Sequence, residues 1–277
     1  MNIRDLAVHV DYRDRCRKGL EVAMGLAERC QAHLTGLYVD SVPIAPEMMA
    51  MSTAPVLLET IFEEQQERAA SARGIFDSMT QHSGLNTSFR RSEGPMFNAL
   101  NQLARYSDLL VLTQEGDGTA GPVLGGFADY AVMDCGRPVL VVPFVGASVP
   151  VDGTALVAWS GTRESARAAN DALALLALAK RVQVVVIEPA DTDLSDAPLP
   201  GAALCEHLAR HDINAEAKLI AGSDVNAGDL LLSHAADVDA NLIVMGAYGH
   251  SRLRQVVLGG MTRHMLAHAT VPVLMSH

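Results

Sequence analysis

The sequence predicts an α/β protein built as two tandem domains, each a five-stranded, mostly parallel sheet with helices on both faces. Two observations support this prediction. Apolar runs of strand length alternate with amphipathic segments of helix length, and the pattern of the first half recurs in the second half. Alternating strands and helices imply right-handed crossover connections, and therefore a parallel sheet that is covered on both faces. A chain of 277 residues is long enough for two ordinary domains.

The repeat is visible at the ends of the two halves. VLGGFADYAVMDCGRPVLVV from Val123 aligns without a gap with VLGGMTRHMLAHATVPVLM from Val257. Upstream of these, SDLLVLTQEG (107–116) matches ANLIVMGAYG (240–249), and 155–189 resembles 5–40 in its strand–helix–strand pattern. We therefore expect domains at 1–145 and 152–277, joined by the Gly-, Ser- and Pro-containing linker GASVPVDGT.

The elements of the second half follow from its pattern. The predicted strands are ALVAW, VQVVVIE, INAEAKLI, NLIVMG and PVLMS. The predicted helices between them run over roughly 163–179, 200–210, 226–237 and 260–268. Ligands of such sheets bind beyond the carboxyl ends of the strands, where the strand order reverses. The segments after ALVAW and NLIVMG lie at such ends, so they are the candidate ligand loops.

Composition and charge exclude several classes of protein. Hydrophobic residues make up 49% of the chain and aromatic residues only 4%, which is typical of helices packed on a buried sheet. No apolar run approaches the roughly 18 residues of a membrane span, and we expect no membrane association. The net charge of −11 argues against general nucleic-acid binding. The N-terminus has no signal-peptide pattern, and four scattered cysteines predict reduced thiols in a cytoplasmic protein: Cys16, Cys30, Cys135 and Cys205.

The segment GAYGHSRLRQVVLGGMT (246–262) is rich in glycine. Gly246 and Gly249 are separated by two residues, and nine residues separate Gly249 from Gly259. Glycine lets a backbone approach a ligand closely, although a glycine turn kept only for tight packing would show the same residues. The spacing therefore leaves a ligand loop and a purely structural turn as alternatives.

The end of this segment favours an anion. Gly260 and Thr262 stand at the start of the last predicted helix, where free N–H groups and the helix dipole attract negative charge. His250 and Arg252 lie between the glycines and add positive charge. This arrangement suits a polyphosphate.

The spacing G-x2-G-x9-G, followed by a small residue and then Ser or Thr, resembles the nucleotide-binding signature of the universal stress protein family. The resemblance covers the whole chain as two copies. It implies Rossmann-like (adenine nucleotide alpha-hydrolase-like) domains and a stress-response regulatory protein with little or no turnover. Nothing in the loop looks like a positioned base or nucleophile with a partner, so we predict no catalytic residues. The resemblance also implies that the second repeat binds an adenine nucleotide, ATP, with Mg²⁺ only as its companion. The implied contacts are Gly246, Gly249, Gly259, Gly260 and Thr262.

Each repeat departs from that family pattern. The second repeat has Gly260 where Ser or Thr is usual, and it lacks the Asp that ATP-binding members carry after strand 1. Backbone groups of Ala158 and Trp159, or the Ser160 hydroxyl, would then replace that Asp. The alternative is that Ser160 or Thr162 caps the next helix.

The first repeat keeps an acid, Asp11, which a cap or turn role would also explain. However, it has Thr113 in place of the first glycine, and Glu115 and Asp117 bring negative charge to its loop. We therefore predict that the first repeat does not bind ATP and packs on the second as a pseudo-dimer, either within a monomer or within a homodimer of such chains.

Other functions stay open. One alternative is a protein-interaction scaffold, in which a regulatory partner is bound and neither repeat binds nucleotide. Another is an ATP-using enzyme, because SGTRES (160–165) is distantly similar to the SGGxDS loop of ATP pyrophosphatases, although further motifs of those enzymes are missing. Two histidine pairs have the i, i+4 spacing that metal sites use, but no third ligand is evident for the second pair, so we predict no metal site. These pairs are His207 with His211 and His264 with His268.

Overall fold

A computed structural model describes residues 2–40, 54–92, 96–114, 126–144, 148–188, 199–222, 225–249 and 260–277. Two five-stranded parallel units stand side by side and form one ten-stranded sheet, with strand order β3-β2-β1-β4-β5-β10-β9-β6-β7-β8. Within each unit the first strand lies in the middle, and the order reverses beside it. The predicted α/β class, with mostly parallel sheets, is confirmed.

The N-terminal repeat contains five strands and four described helices. In chain order they are β1 (Asp5–His9), α1 (Cys16–Cys30), β2 (His33–Val39), α2 (Ala54–Thr80), β3 (Thr87–Ser92), α3 (Met96–Ala104), β4 (Leu109–Thr113), α4 (Phe127–Asp134) and β5 (Val139–Val142).

The C-terminal repeat has the same plan. Its elements are β6 (Thr154–Ala158), α5 (Arg163–Asp171), α6 (Leu173–Leu176), β7 (Arg181–Glu188), α7 (Ala202–Ala209), β8 (Ala215–Ala221), α8 (Ala227–Asp237), β9 (Ala240–Gly246), α9 (Met261–His268) and β10 (Val273–Ser276). The helix predicted over 163–179 is two helices, because the Leu175 N–H bonds back to the Ala172 carbonyl and tightens the turn there.

The two repeats meet through their last strands. β5 and β10 pair in antiparallel orientation, and Leu140 lies opposite Leu274. These two residues are equivalent in the sequence repeat, so the approximate two-fold axis that relates the repeats passes between them. The predicted pseudo-dimer is thus a continuous sheet within one chain.

Two apolar layers cover the sheet, one on each face. Alternating strand residues point to opposite layers: Leu6 and Val8 of β1 contribute to one layer, and Ala7 contributes to the other. Because both faces are buried, the central strands are nearly continuous runs of apolar residues. No helix in the described ranges is both long enough and apolar enough to cross a membrane. The four cysteines are free thiols.

Candidate functional site

The carboxyl ends of β6 and β9 lie side by side. Ala158, the last residue of β6, pairs with Met245 near the end of β9. On its other side β6 pairs with β7, so this is the point where the strand order reverses. The fold therefore brings the turn 159–162 next to the turn 246–249, at the edge of the sheet where doubly wound folds bind ligands.

The turn after β6 is organised by helix capping. The Thr162 side chain accepts a hydrogen bond from the Ser165 N–H at 3.3 Å and caps α5, as the capping alternative predicts. The Ser160 hydroxyl is exposed and lies 3.2 Å from the Thr162 hydroxyl. The Trp159 N–H donates to the Val185 carbonyl at 2.8 Å, so the sheet already uses this donor. Of the groups predicted to replace the missing Asp, the Ser160 hydroxyl is the exposed one.

Gly246 allows close packing between the loop and α5. A Cβ at this position would lie 2.5 Å from the Glu164 carbonyl carbon and would also overlap with the Ser165 backbone nitrogen. Backbone atoms cannot move aside as the end of a flexible side chain can. The first glycine of the loop is therefore explained by packing alone, and it gives no independent support for a ligand.

Gly249 faces a buried carboxylate. A Cβ built on Gly249 would lie 2.8 Å from Glu164 Oε2, and the Glu164 side chain is only 3% exposed. Burial raises the pKa of this carboxyl, but the hydrogen bonds from Arg163 and Thr162 outweigh that effect and hold the pKa below its usual value. The carboxylate is therefore charged at neutral pH and brings negative charge to the edge of the candidate site.

Tyr248 connects the loop to α9. Its N–H donates to the Thr262 hydroxyl at 3.2 Å, and Thr262 is 2% exposed. Its phenol O–H donates to Asp129 of α4 in the N-terminal repeat. Burial first, and then the Asp129 hydrogen bond and charge, raise the pKa of the Tyr248 phenol far above its usual value. The Thr262 hydroxyl therefore already accepts a bond from the loop backbone.

No side chain of the described residues caps the start of α9. Gly260 stands at the N-cap with no side-chain cap hydrogen bond, and no acidic residue lies in the first turn. Such a helix end attracts anions. His250, Arg252 and Gly259, which the sequence also assigns to the site, lie outside the described residues.

The corresponding edge of the N-terminal repeat differs. Asp11, in the position of Ser160, pairs with Arg13 at 2.6 Å and Arg15 at 3.5 Å, so it is a turn acid and not the cap of α1. Thr113, in the position of Gly246, is accommodated because Gly19 on α1 leaves space for its side chain. The acidic loop positions Glu115 and Asp117 lie outside the described residues.

The histidine pairs form ring contacts. The His207 and His211 ring centroids lie 4.9 Å apart, and those of His264 and His268 lie 4.7 Å apart. Among the described residues, no group of three or more His, Cys, Asp or Glu side chains is placed to bind a metal ion.

Three residues at this site escaped the sequence-based prediction. Glu164 appeared only in the comparison with another loop, and Tyr248 and Asp129 were not singled out. Glu164 follows the predicted turn after β6, and Tyr248 lies between Gly246 and Gly249, so the sequence indicated that both are close to the site. Nothing local marked Asp129, because it lies 119 residues from its partner.

Comparisons with known proteins agree with this architecture. The model of the universal stress protein family matches the chain twice, over residues 2–143 and 153–277. Universal stress protein Slr1230 of Synechocystis is 20% identical over 98% of this chain and 99% of its own length.

Solved structures resemble the chain as well. A universal stress protein from Archaeoglobus fulgidus is 13% identical, covers 99% of this chain and 96% of its own, and has a TM-score of 0.74. A universal stress protein in complex with cAMP is 21% identical over 45% of this chain and 97% of its own, with a TM-score of 0.36. Because the family model matches both halves, the chain belongs to the universal stress protein family, as a tandem of two repeats.

Proposed function

We propose that this universal stress protein is a stress-response regulatory protein whose C-terminal repeat binds an adenine nucleotide, ATP, with little or no turnover. The observation that carries the proposal is the convergence of three features at one edge of the sheet. These are the exposed turn after β6, the glycine turn after β9 and the start of α9, which no described side chain caps. One universal stress protein has been crystallised with cAMP, so an adenine nucleotide is a ligand within the family.

The chemistry of the edge supports a divided binding site. In this proposal the Ser160 hydroxyl contacts the base or ribose, and the backbone at Gly249 lies against the ribose. The N–H groups at Gly260 and the start of α9 bind phosphate. Gly259 and the basic side chains of His250 and Arg252 complete the phosphate side, and Mg²⁺ accompanies the nucleotide.

The hydroxyl groups at this edge have structural partners. The Ser160 hydroxyl lies against Thr162, the Thr162 hydroxyl caps α5, and the Thr262 hydroxyl accepts the Tyr248 N–H. Nucleophilic catalysis needs a hydroxyl paired with a general base such as imidazole or carboxylate. The Thr162 hydroxyl is also bonded to the Glu164 carboxylate, but its bond from the Ser165 N–H holds it in the cap of α5. These structural roles favour binding over turnover.

A second candidate function is a protein-interaction scaffold that binds no nucleotide. Glu164 favours it, because a charged carboxylate at the site opposes a bound phosphate by an energy on the order of a kcal/mol.

Titration calorimetry of ATP with Mg²⁺ into the purified chain tests the proposal. The informative variant is Gly249→Asp, since Gly249 is exposed and the groups nearest its missing Cβ are side-chain ends. Gly246→Asp would collide with the backbone of α5 and would report on folding instead. Gly74→Asp is the matched control, because it adds the same charge at an exposed, open position on α2.

The two candidates predict different results. Micromolar binding that is lost in Gly249→Asp and kept in Gly74→Asp supports the nucleotide site in the C-terminal repeat. If the folded, ligand-free wild-type chain binds no ATP, ADP or AMP, the proposal is wrong and the scaffold takes its place. Release of ADP or AMP at more than a trace rate would contradict the absence of turnover.

A further inference from the structure

We propose that Asp129, on the N-terminal repeat, is a positioning residue for the nucleotide loop of the C-terminal repeat. This inference rests on the proposed function, and it gives the N-terminal repeat a role in that function without a nucleotide of its own. The carboxylate of Asp129 acts through Tyr248, which stands between the two glycines of the turn 246–249.

The backbone of Tyr248 has an unfavourable conformation. Its φ is +57°, in the left-handed region that a bulky side chain rarely adopts. Such a conformation persists only where surrounding contacts impose it. Its phenol O–H donates to Asp129, its N–H donates to Thr262, and its ring lies edge-on to His277 with the ring centroids 6.3 Å apart.

The two hydrogen bonds hold Tyr248 at its phenol and at its backbone N–H. Thr262 is buried at the start of α9 within the same repeat, whereas Asp129 belongs to the other repeat. The peptide that follows Tyr248 leads directly to Gly249. Since φ and ψ of Tyr248 set the direction of that peptide, the bond to Asp129 controls how Gly249 faces the proposed nucleotide.

Asp129 itself is fixed by the loop of its own repeat. Its Oδ2 accepts the Gly126 N–H at 3.0 Å in a capping interaction at the start of α4, while its Oδ1 accepts the Tyr248 phenol. One carboxylate therefore joins Gly126, at the start of α4, to Tyr248 in the turn 246–249.

A second bond between the repeats lies at the other end of the N-terminal loop. The buried Gln114 side chain donates to the Leu266 carbonyl of α9 at 2.9 Å. The segment 115–125 is thus bordered on both sides by residues that are bonded to the C-terminal repeat.

The residue types of this pair are not repeated in the other half of the chain. In the sequence repeat Arg263 corresponds to Asp129, and Glu115 corresponds to Tyr248. The phenol–carboxylate pair is therefore not duplicated at the equivalent positions. The helix α4 positions the turn 246–249 through a carboxylate, whereas its counterpart α9 has an arginine at the equivalent position.

The test uses Tyr248→Phe and Asp129→Ala in the full chain, singly and together. Tyr248→Phe removes only the phenol hydroxyl and leaves the cap of α4 intact, so it stays informative if Asp129→Ala folds poorly. The matched control is Tyr106→Phe, which removes the hydroxyl of an 81% exposed tyrosine. Two quantities are measured: amide hydrogen exchange of 246–249 without ligand, and the Kd for ATP.

We expect hydrogen exchange of the Tyr248 N–H, which bonds to Thr262, to rise by about tenfold or more in Tyr248→Phe, as a lost hydrogen bond to a charged group implies. The Kd for ATP should weaken by roughly 5- to 50-fold. The double variant should be no weaker than the worse single variant, because both changes remove the same bond. Tyr106→Phe should match the wild type in both measurements.

The failures are distinguishable. The positioning role is overturned if hydrogen exchange is unchanged in Tyr248→Phe, even if ATP binds. It is also overturned if the effects of the two single variants on the Kd add up in the double variant. If exchange rises but the wild-type chain binds no adenine nucleotide, the proposed function has failed, and Asp129 is then a purely structural link between the repeats.

Discussion

Gly19 and Thr113 are predicted to be energetically coupled. Gly19 lies on α1, and a Cβ there would overlap with Oγ1 of Thr113 at the end of β4. The strand registers match Leu6 to Ala155, so Ala168 corresponds to Gly19, just as Gly246 corresponds to Thr113. The N-terminal repeat has the glycine on the helix, and the C-terminal repeat has it on the strand.

The magnitude follows from two opposing effects of Gly19→Ala. Alanine in a helix is more stable than glycine by about 1 kcal/mol. Against this, a methyl group forced into a packed site costs roughly 1–3 kcal/mol. With Thr113 present we therefore expect a net destabilisation of about 0–2 kcal/mol. In a Thr113→Gly background the overlap is gone, and the same change should stabilise by about 1 kcal/mol.

Urea unfolding of the wild type, both single variants and the double variant measures this coupling, with a common m-value as the control for two-state behaviour. The expected coupling energy is about 1–3 kcal/mol in favour of the double variant. Gly74→Ala, at an open position on α2, should stabilise equally in both backgrounds. Additivity of Gly19→Ala and Thr113→Gly within about 0.5 kcal/mol would refute the reasoning.

Three further predictions concern individual groups. Gly246→Ala should lower the free energy of unfolding, measured with urea, by about 2 kcal/mol or more, because the new Cβ meets the backbone of α5. A loss no larger than that of an ordinary surface substitution would contradict the packing role. His9 packs against Phe127, and burial lowers its pKa to about 4, so its contribution to stability is complete above pH 6.5 and is lost as the pH falls towards 4. Between pH 7 and pH 4.5 the wild type should lose about 2–3 kcal/mol more than His9→Ala, measured by urea unfolding at both pH values, and equal losses would be contrary to expectation. If the proposed nucleotide site is correct, Glu164→Gln should tighten ATP binding by about 5-fold in calorimetry, because it removes a negative charge near the phosphates. Glu206→Gln on α7 is the exposed control and should leave the Kd unchanged. Weaker binding in Glu164→Gln would instead assign Glu164 a favourable contact with the ligand.

The fold could be predicted from the sequence because its signals are local and repeated. The strands of the second half are 4–8 residues long. Four of them are largely buried and were predicted from their apolar runs, whereas the edge strand β8 has no buried residue. The tandem arrangement was visible because VLGG and PVL recur at matching positions. The break between α5 and α6 was missed, since Ala172 is a good helix former and the tight turn depends on hydrogen-bond geometry.

The candidate site could be predicted only in part. Sequence placed Ser160, Gly246 and Gly249 at one edge, because strand ends and glycine spacing are local features. It could not tell that Gly246 is required by the backbone of α5, or that Tyr248 reaches Asp129 in the other repeat. Both facts depend on the packing of segments that are distant in the chain.

The antiparallel pairing of β5 with β10 has a consequence for how the two repeats evolve. Two separate copies related by an exact two-fold axis would make every contact twice, so any change at the interface would appear on both sides. Such copies would also separate on dilution. Covalent linkage removes both constraints, since the local concentration of each half around the other is fixed by the chain. A single bond such as that between Tyr248 and Asp129 can then arise without a symmetry-related copy. The two repeats can therefore keep different roles at any protein concentration.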